Sequence, residues 1–529
     1  MSADRLAIVV DTPPTSNGDL HVGHLAGPFI AADVYARYLR GLGRRVVFSS
    51  GTDDSQTYVL ASAQRKGIDP AELAGRSWHE IRATLAGMAI SLDGFAPYDG
   101  RYRAAVLDFL APLYRGGVFE PRDVRLPYSE RTGTFLVEGL VAGDCPVCLT
   151  FSRGGLCETC GHPNNFDELL NARSTVDPDD PVTTREARIL VLPMERYRDR
   201  LTAYYAERTG RMRPHTVQLV RELLDRPLPD FPVTYPVAWG IPAPFAETPG
   251  QTVNAWVEGI PAVMYCTQFA AEQAGLPRRA DDELWRAEHD PHIVYFIGFD
   301  NVYFWGMTHL ALLMAHGERY ALPDTYVSNE FYELENDKFS TSLGHVLHSR
   351  DLLREVPRDL IRFYLALTCP EHQRTNFSRE ALDKVAGERL VGPWDRLAGL
   401  LDKLAADAGA GTAALPVSAA AADRAEAVAA RFRLCYELAT YSLTRAADLV
   451  VAQVARLLRR AGELAGAGRA ATPQELGDLY HEVAVLLAGA APILADAAAG
   501  RRLSLAEGAW TERRTQPFPL PRLGPPPID

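Results

Sequence analysis

The stretch LAIVVDTPPTSNGDLHVGH, residues 6–24, decides the fold. Leu6 to Val10 is a short run rich in β-branched residues, the length and composition of a buried strand. The loop from Asp11 to Leu20 follows, and from His21 to Leu42 apolar residues recur at helical spacing until Gly41 and Gly43 stop them. Arg45 to Ser50 reads as a second buried strand. Strand, loop, helix and strand make a βαβ unit, with a right-handed crossover and ligands at the carboxyl ends of the strands. The pattern returns from His292 to Gly317: the strand HIVYFIG, a turn at Phe299 to Asn301 and a helical run, with a further strand around Tyr326 to Glu330. The reading is an α/β fold with a Rossmann-type parallel sheet.

Working outward, residues 1–118 and 235–345 form the predicted catalytic domain, interrupted by an insertion over 119–234 that is too long for a loop and must be a subdomain. Junction helices are expected over 346–380 and an α-helical bundle over 381–516, where Ala, Leu, Arg and Asp recur at helical spacing around a linker from Ala408 to Ser418. A Pro-rich tail, 517–529, should be irregular. The chain has 529 residues, 47% of them apolar, and a formal charge of −12, which argues against a surface that clings to nucleic acid throughout. No run is long and apolar enough for a membrane span and no secretory leader is recognised, so the cytoplasm is the expected compartment.

Three groups of residues carry chemistry. His21 and His24 are three apart at the start of a helix that follows a strand, so both imidazoles share a face beside free N–H groups, where phosphate is attracted; Gly23 lets a flat group approach the backbone. The competing reading is a pair of surface or core histidines. Lys338 opens KFSTS, residues 338–342, in an expected loop whose Ser340 and Ser342 hydroxyls could help clamp a triphosphate, against the reading of a solvated loop. Only four lysines occur in the chain, which makes one inside a motif notable. Cys145, Cys148, Cys157 and Cys160 are spaced C-x2-C, eight residues, C-x2-C, which brings two knuckles around one tetrahedral zinc ion, with His162 a bystander.

The two nucleotide motifs, with the Gly51-Thr52-Asp53 turn, CPVC and CETC, WGIPAP at 239–244, Trp256 and FIGFD at 296–300, occur in the order seen in class I aminoacyl-tRNA synthetases, and among these the chain resembles the methionyl type from about Leu6 to Phe377. The resemblance implies ATP as substrate, with Mg2+ held among its phosphates, bound by Gly18, Gly23, Gly298, Asp300, Lys338, Ser340 and Ser342. It implies His21, His24 and Lys338 as catalytic residues and a structural zinc. It also implies an amino-acid pocket of Pro13, Asp53, Trp256, Val263 and Trp305, with Asp53 receiving the ammonium group. For Asp300 helix N-capping is the competing role.

Departures from the family pattern shape the functional expectation. The second loop lysine falls on Thr341, the histidine-glycine pair after the acidic turn is Ser55-Gln56, and the arginine before WGIP falls on Tyr235. In the side-chain pocket a tyrosine is replaced at Val263 and a histidine at Trp305; the indole is read either as a wall that favours a small amino acid such as glycine, or as core. The family's anticodon asparagine falls near Arg396, and Arg456, Arg459 and Arg460 read as a solvated helix face. The expectation is therefore an adenylate-forming ligase that passes an acyl group to a small-molecule nucleophile, as in a divergent paralogue of natural-product biosynthesis that joins glycine to an N-hydroxylated amine with a separate cupin-type partner. The alternatives are a methionine–tRNA ligase and a catalytically weak binding protein.

Overall fold

The computed structural model describes residues 5–335, 337–338 and 347–524. The chain divides into two compact units: Met1–Leu20, Val46–Leu85 and Leu92–Glu330 form the first, and His21–Arg45, Ala86–Ser91 and Phe331–Asp529 the second.

The first unit is built on a five-stranded sheet. Its strands are β1 (Ala7–Asp11), β2 (Val46–Ser50), β3 (Gly94–Phe95), β4 (His292–Gly298) and β5 (Thr325–Asn329), in the order β5-β4-β1-β2-β3 and all parallel. The apolar runs are continuous rather than alternating because β1 and most of β4 are buried on both faces. The order reverses between β1 and β4, which pair from Ala7↔His292 to Asp11↔Phe296. This switch point places the loop after Asp11 beside the turn after Gly298, the position where such sheets bind ligands.

In the insertion Glu120–Ser129 and Val182–Leu192 pair antiparallel from Val182↔Ser129 to Val191↔Glu120, and the cysteines lie in turns between short strands. The helix Ala255–Gln273 follows, capped by Asn254, whose side chain accepts from the Trp256 N–H.

The second unit is mainly helical, with a small sheet of Tyr332–Leu334, Asp337–Lys338 and Thr375–Phe377. The stretch expected as one helix from His21 is three segments, Val22–His24, a π-helical turn Leu25–Phe29 and Ile30–Gly41, because Gly27 leaves helical geometry just before Pro28. Gly43, at φ +75, then turns the chain out of the helix. The bundle helices include Gly392–Asp407, Ala419–Tyr436, Leu443–Ala465 and Pro473–Ala490. The tail is irregular as expected but fastened, since Trp394 Nε1 donates to the Pro521 carbonyl at 2.6 Å and Leu523 N to Asp395 at 2.9 Å. Arg456 and Arg460 correct the reading of a solvated face: both are half-buried and both pair with Glu482, whose side chain is inaccessible. A buried carboxylate needs cations, and the helix supplies them from its inner edge; Arg459 alone of the three is exposed. Among the described residues no helix is long and apolar enough to cross a membrane.

Candidate active site and zinc knuckle

Within the second unit the HVGH turn meets the chain at residues 347 and 348. Val22 N donates to the Leu347 carbonyl at 3.2 Å and His21 bridges His348, so the chain leaving KFSTS returns beside the HVGH turn. Lys338 lies not in a loop but in a two-residue strand, Asp337–Lys338, paired antiparallel with Tyr332–Leu334; Glu335, at φ +51, tightens the reversal that makes this hairpin possible. Ser340, Thr341 and Ser342 lie outside the described residues.

The backbone N–H groups at this helix start are not open to a phosphate as expected. His21 Nδ1 accepts from Gly23 N at 3.1 Å and His24 Nδ1 accepts from His21 N at 3.3 Å, so the two imidazoles cap their own turn, their rings 3.8 Å apart. Burial, reinforced by His24 and His348, holds the His21 pKa well below its usual value, so this ring is neutral. A neutral ring that accepts at Nδ1 carries its proton on Nε2, the tautomer that can donate to a phosphate oxygen.

Asp53 and the turn that bears it belong to the first unit. Asp53 N donates to the Pro14 carbonyl at 3.0 Å, and Thr15 bridges Asp53, which sets Pro13 and the glycine-bearing loop against the acidic turn. At Gly18 a Cβ would meet nothing, so packing does not demand this glycine. The WGIPAP motif anchors the same turn through Trp239 Nε1, which donates to the Asp54 carbonyl at 2.8 Å. Gln56 donates to Asp53 Oδ2 at 2.8 Å, while Oδ1 is screened from solvent and has no hydrogen-bond partner among the described residues. Burial raises the Asp53 pKa to about 7, with Gln56 lowering it and Asp54 raising it.

Asp300 is not an N-cap. Its Oδ1 accepts from Asn301 Nδ2 at 3.0 Å, Gly298 stands at the cap position, and burial raises the Asp300 pKa to about 6. At Gly298 a Cβ would lie 2.4 Å from Asp300 Oδ1, so any larger residue would push that carboxylate aside.

In the expected side-chain pocket Trp256 stacks on Phe304 at 3.7 Å and 5°, not on a second indole. Trp305 is buried, edge-on to Tyr295 at 5.1 Å and 4.6 Å from His309, and Val263 is buried within the same core. Two residues escaped the sequence reading. His309 donates from Nε2 to the Trp256 carbonyl at 2.9 Å, and burial lowers its pKa to about 4; a Cβ on Gly259 would lie 2.9 Å from its ring. Glu258 is fully buried and accepts from Ser55 Oγ at 3.0 Å and Tyr102 OH at 2.7 Å. Its signal was available, an acid within the apolar helical run AWVEGIPAVMY. Tyr235, in place of the arginine, is buried and reaches the Asn165 carbonyl at 3.5 Å.

The cysteines form two copies of one turn. Leu149 N donates to the Cys145 carbonyl and Gly161 N to the Cys157 carbonyl, and Leu149 (φ +62) and Gly161 (φ +73) both adopt left-handed geometry. The four Sγ atoms lie within 4.8 Å of one another, with Cys145–Cys160 at 3.8 Å and Cys148–Cys157 at 3.6 Å. Zn–S bonds of about 2.3 Å at tetrahedral angles require S–S edges of about 3.8 Å, so the quartet fits zinc. His162 directs Nδ1 to the Cys160 carbonyl at 3.2 Å and stands outside the sulfur cluster. Elemental analysis of purified protein should find about one zinc per chain, closed and structural, and Cys145→Ser should lose it and loosen the insertion.

Residues 8–399 match the family model "tRNA synthetases class I (M)". The methionine–tRNA ligase of Chlorobaculum tepidum is 32% identical over 387 residues, covering 71% of this chain and 54% of that protein. That of Roseiflexus sp. is 32% identical over 395 residues, covering 73% and 66%. The solved Mycobacterium tuberculosis methionyl-tRNA synthetase in complex with methionyl-adenylate superposes with a TM-score of 0.74 at 21% identity, over 99% of each chain, a likeness of fold. The chain spans about half the length of the first of these curated relatives.

Proposed function

Because the chain belongs to the class I tRNA synthetase family of the methionyl type, we propose that it activates an α-amino acid with ATP. The substrate carboxylate attacks the α-phosphorus, a carboxyl–phosphate bond forms, the α–β phosphoanhydride breaks and pyrophosphate leaves. The observation that supports this reading is that Leu347 and His348, in the chain after KFSTS, meet Val22 and His21 of the HVGH turn within one unit. The Nε2 protons of His21 and His24 would donate to the phosphate oxygens as charge develops on them, and Asp53 would receive the ammonium group.

For the amino acid and its acceptor, the names of the relatives support methionine and tRNA better than the glycine and small nucleophile expected from the sequence. The small-nucleophile reading stands second on one observation: Arg456 and Arg460 are committed to Glu482, which leaves two fewer free cations on this helix for a polyanion. No comparison supports a cupin-type partner, which forms no part of the proposal. The proposal keeps the cytoplasm, expected from the sequence, as the compartment of the reaction.

Amino-acid-dependent ATP–pyrophosphate exchange tests activation, and charging of bulk tRNA with labelled methionine separates the two acceptors. His21→Ala and His24→Ala should each slow exchange about 10- to 100-fold, the worth of a hydrogen bond to a charged group, with a smaller effect on the KM for ATP. Exchange undiminished in both variants would remove the assignment of this turn to the reaction.

A further inference from the structure

Glu258 has no part in the reaction as described, yet it is placed as a binding group would be. It lies two residues after Trp256 on the helix Ala255–Gln273, and its carboxylate is tied through Ser55 to the turn that bears Asp53. Ser55 Oγ also meets Tyr98 OH at 2.9 Å, and Tyr102 OH donates to the same Glu258 oxygen, Oε1. The other oxygen, Oε2, is buried without a hydrogen-bond partner among the described residues, as is Asp53 Oδ1. The groups that face this pair are further acids and phenols: Asp54 and Glu138 act on Asp53, and Asp53, Asp54 and Tyr102 on Glu258. Arg103 lies over the Tyr98 ring at 4.9 Å and attracts Asp54. Burial first, then Asp53, raises the Glu258 pKa to about 8. Neither charge state satisfies the site alone, because an ionised Oε2 wants a donor and a protonated one an acceptor.

We infer that Glu258 is a second carboxylate of the amino-acid site, sharing one proton with Asp53 until the ammonium group of the substrate arrives and displaces that proton to solvent. The inference rests on the reading of Asp53 as the ammonium acceptor. Two buried acids without a cation cannot both ionise cheaply, so the empty pair keeps a proton, and a ligand that brings its own positive charge removes the need for it. Ser55, which stands where the family has a histidine, fixes the second acid with a neutral hydroxyl and leaves its charge unspent.

The experiment is pyrophosphate exchange with L-methionine and with glycine across pH 6 to 8.5, on wild type and Glu258→Gln. Glutamine keeps Oε1 as acceptor for Ser55 and Tyr102, and thermal melting checks that the variant is folded. In the wild type the KM for the amino acid should fall as pH rises through 7, about tenfold per unit while one proton must leave. In Glu258→Gln Asp53 ionises without its rival, so the KM should be about tenfold higher at pH 8, nearly independent of pH above 7, with the KM for ATP unchanged, as for one lost charge-assisted bond. Titration calorimetry with the same amino acids, in two buffers of different ionisation heat at pH 7, should show about one proton released by wild type and far less by the variant. A KM and pH slope equal to wild type, or a raised KM with the slope and proton release unchanged, would overturn the inference while leaving activation intact. No exchange by wild type with any amino acid would instead overturn the activation reading, and the inference with it.

Discussion

Replacing Asp53 by asparagine should lower amino-acid-dependent adenylate formation by about 10²- to 10³-fold, the cost of leaving a buried ammonium group without its charge partner. The same change should raise the melting temperature of the empty protein at pH 8. The second expectation follows from the pKa of about 7 that burial gives Asp53. Between the unfolded value near 4 and about 7 the native state holds a proton that the unfolded chain has released, so the native state is progressively destabilised as pH rises through this window. Asparagine has no proton to lose and removes that dependence. Circular dichroism melts at pH 5.5 and pH 8, set beside exchange rates, check both halves. A variant that is inactive and also less stable at pH 8 would show Asp53 to be a structural acid, since a site held in readiness for a cation must strain the empty protein.

Replacing Arg362 by alanine should destabilise the second unit by about 3–5 kcal/mol, the loss typical of breaking a buried ion pair by removing one partner. Arg362 is inaccessible to solvent and donates to Asp33 Oδ2 at 2.6 Å, to the Ile493 carbonyl at 2.7 Å, to Pro492 at 2.9 Å and to Met88 at 3.1 Å. Removing it strands three carbonyls and leaves the fully buried Asp33 with Arg37 and the Ser91 groups alone. Burial by itself would raise the Asp33 pKa, but Arg362, then Arg37 and Ser91, bring it below its usual value. The pair therefore stabilises the protein above the unfolded carboxylate pKa, and that contribution is lost as pH falls through the depressed native one. Denaturant titrations at pH 7 and pH 3.5 should show the difference between wild type and Arg362→Ala shrinking at the lower pH. A loss below about 1 kcal/mol at pH 7 would mean that the surroundings collapse onto the vacated space.

The sequence by itself determined whatever is decided within a few residues. The apolar, β-rich runs at Ala7–Asp11 and His292–Gly298 read as buried strands, since their length and composition suit a strand covered on both faces better than a helix. The cysteine spacing closes two identical turns whose sulfurs fall at tetrahedral edges, because C-x2-C leaves each knuckle little conformational choice. Helix starts at Ser418, Ser442 and Thr472 are local too, each side chain capping its own N3 amide.

Only the tertiary structure decided where charges end. Arg456, Arg460 and Arg362 look alike in sequence, yet the first two pair with Glu482 from a neighbouring helix and the third lies inside, 329 residues along the chain from Asp33. Glu258 and Ser55 meet over 203 residues, and His348, in the chain after KFSTS, bridges His21 of the HVGH turn from a distant part of the sequence. An acid in an apolar run is legible as an anomaly, but its partner is not. Side-chain period says which face is buried, whereas the identity of the group across the interface depends on how elements far apart in sequence pack, and for a buried charge that identity sets whether it is neutralised, protonated or kept for a ligand.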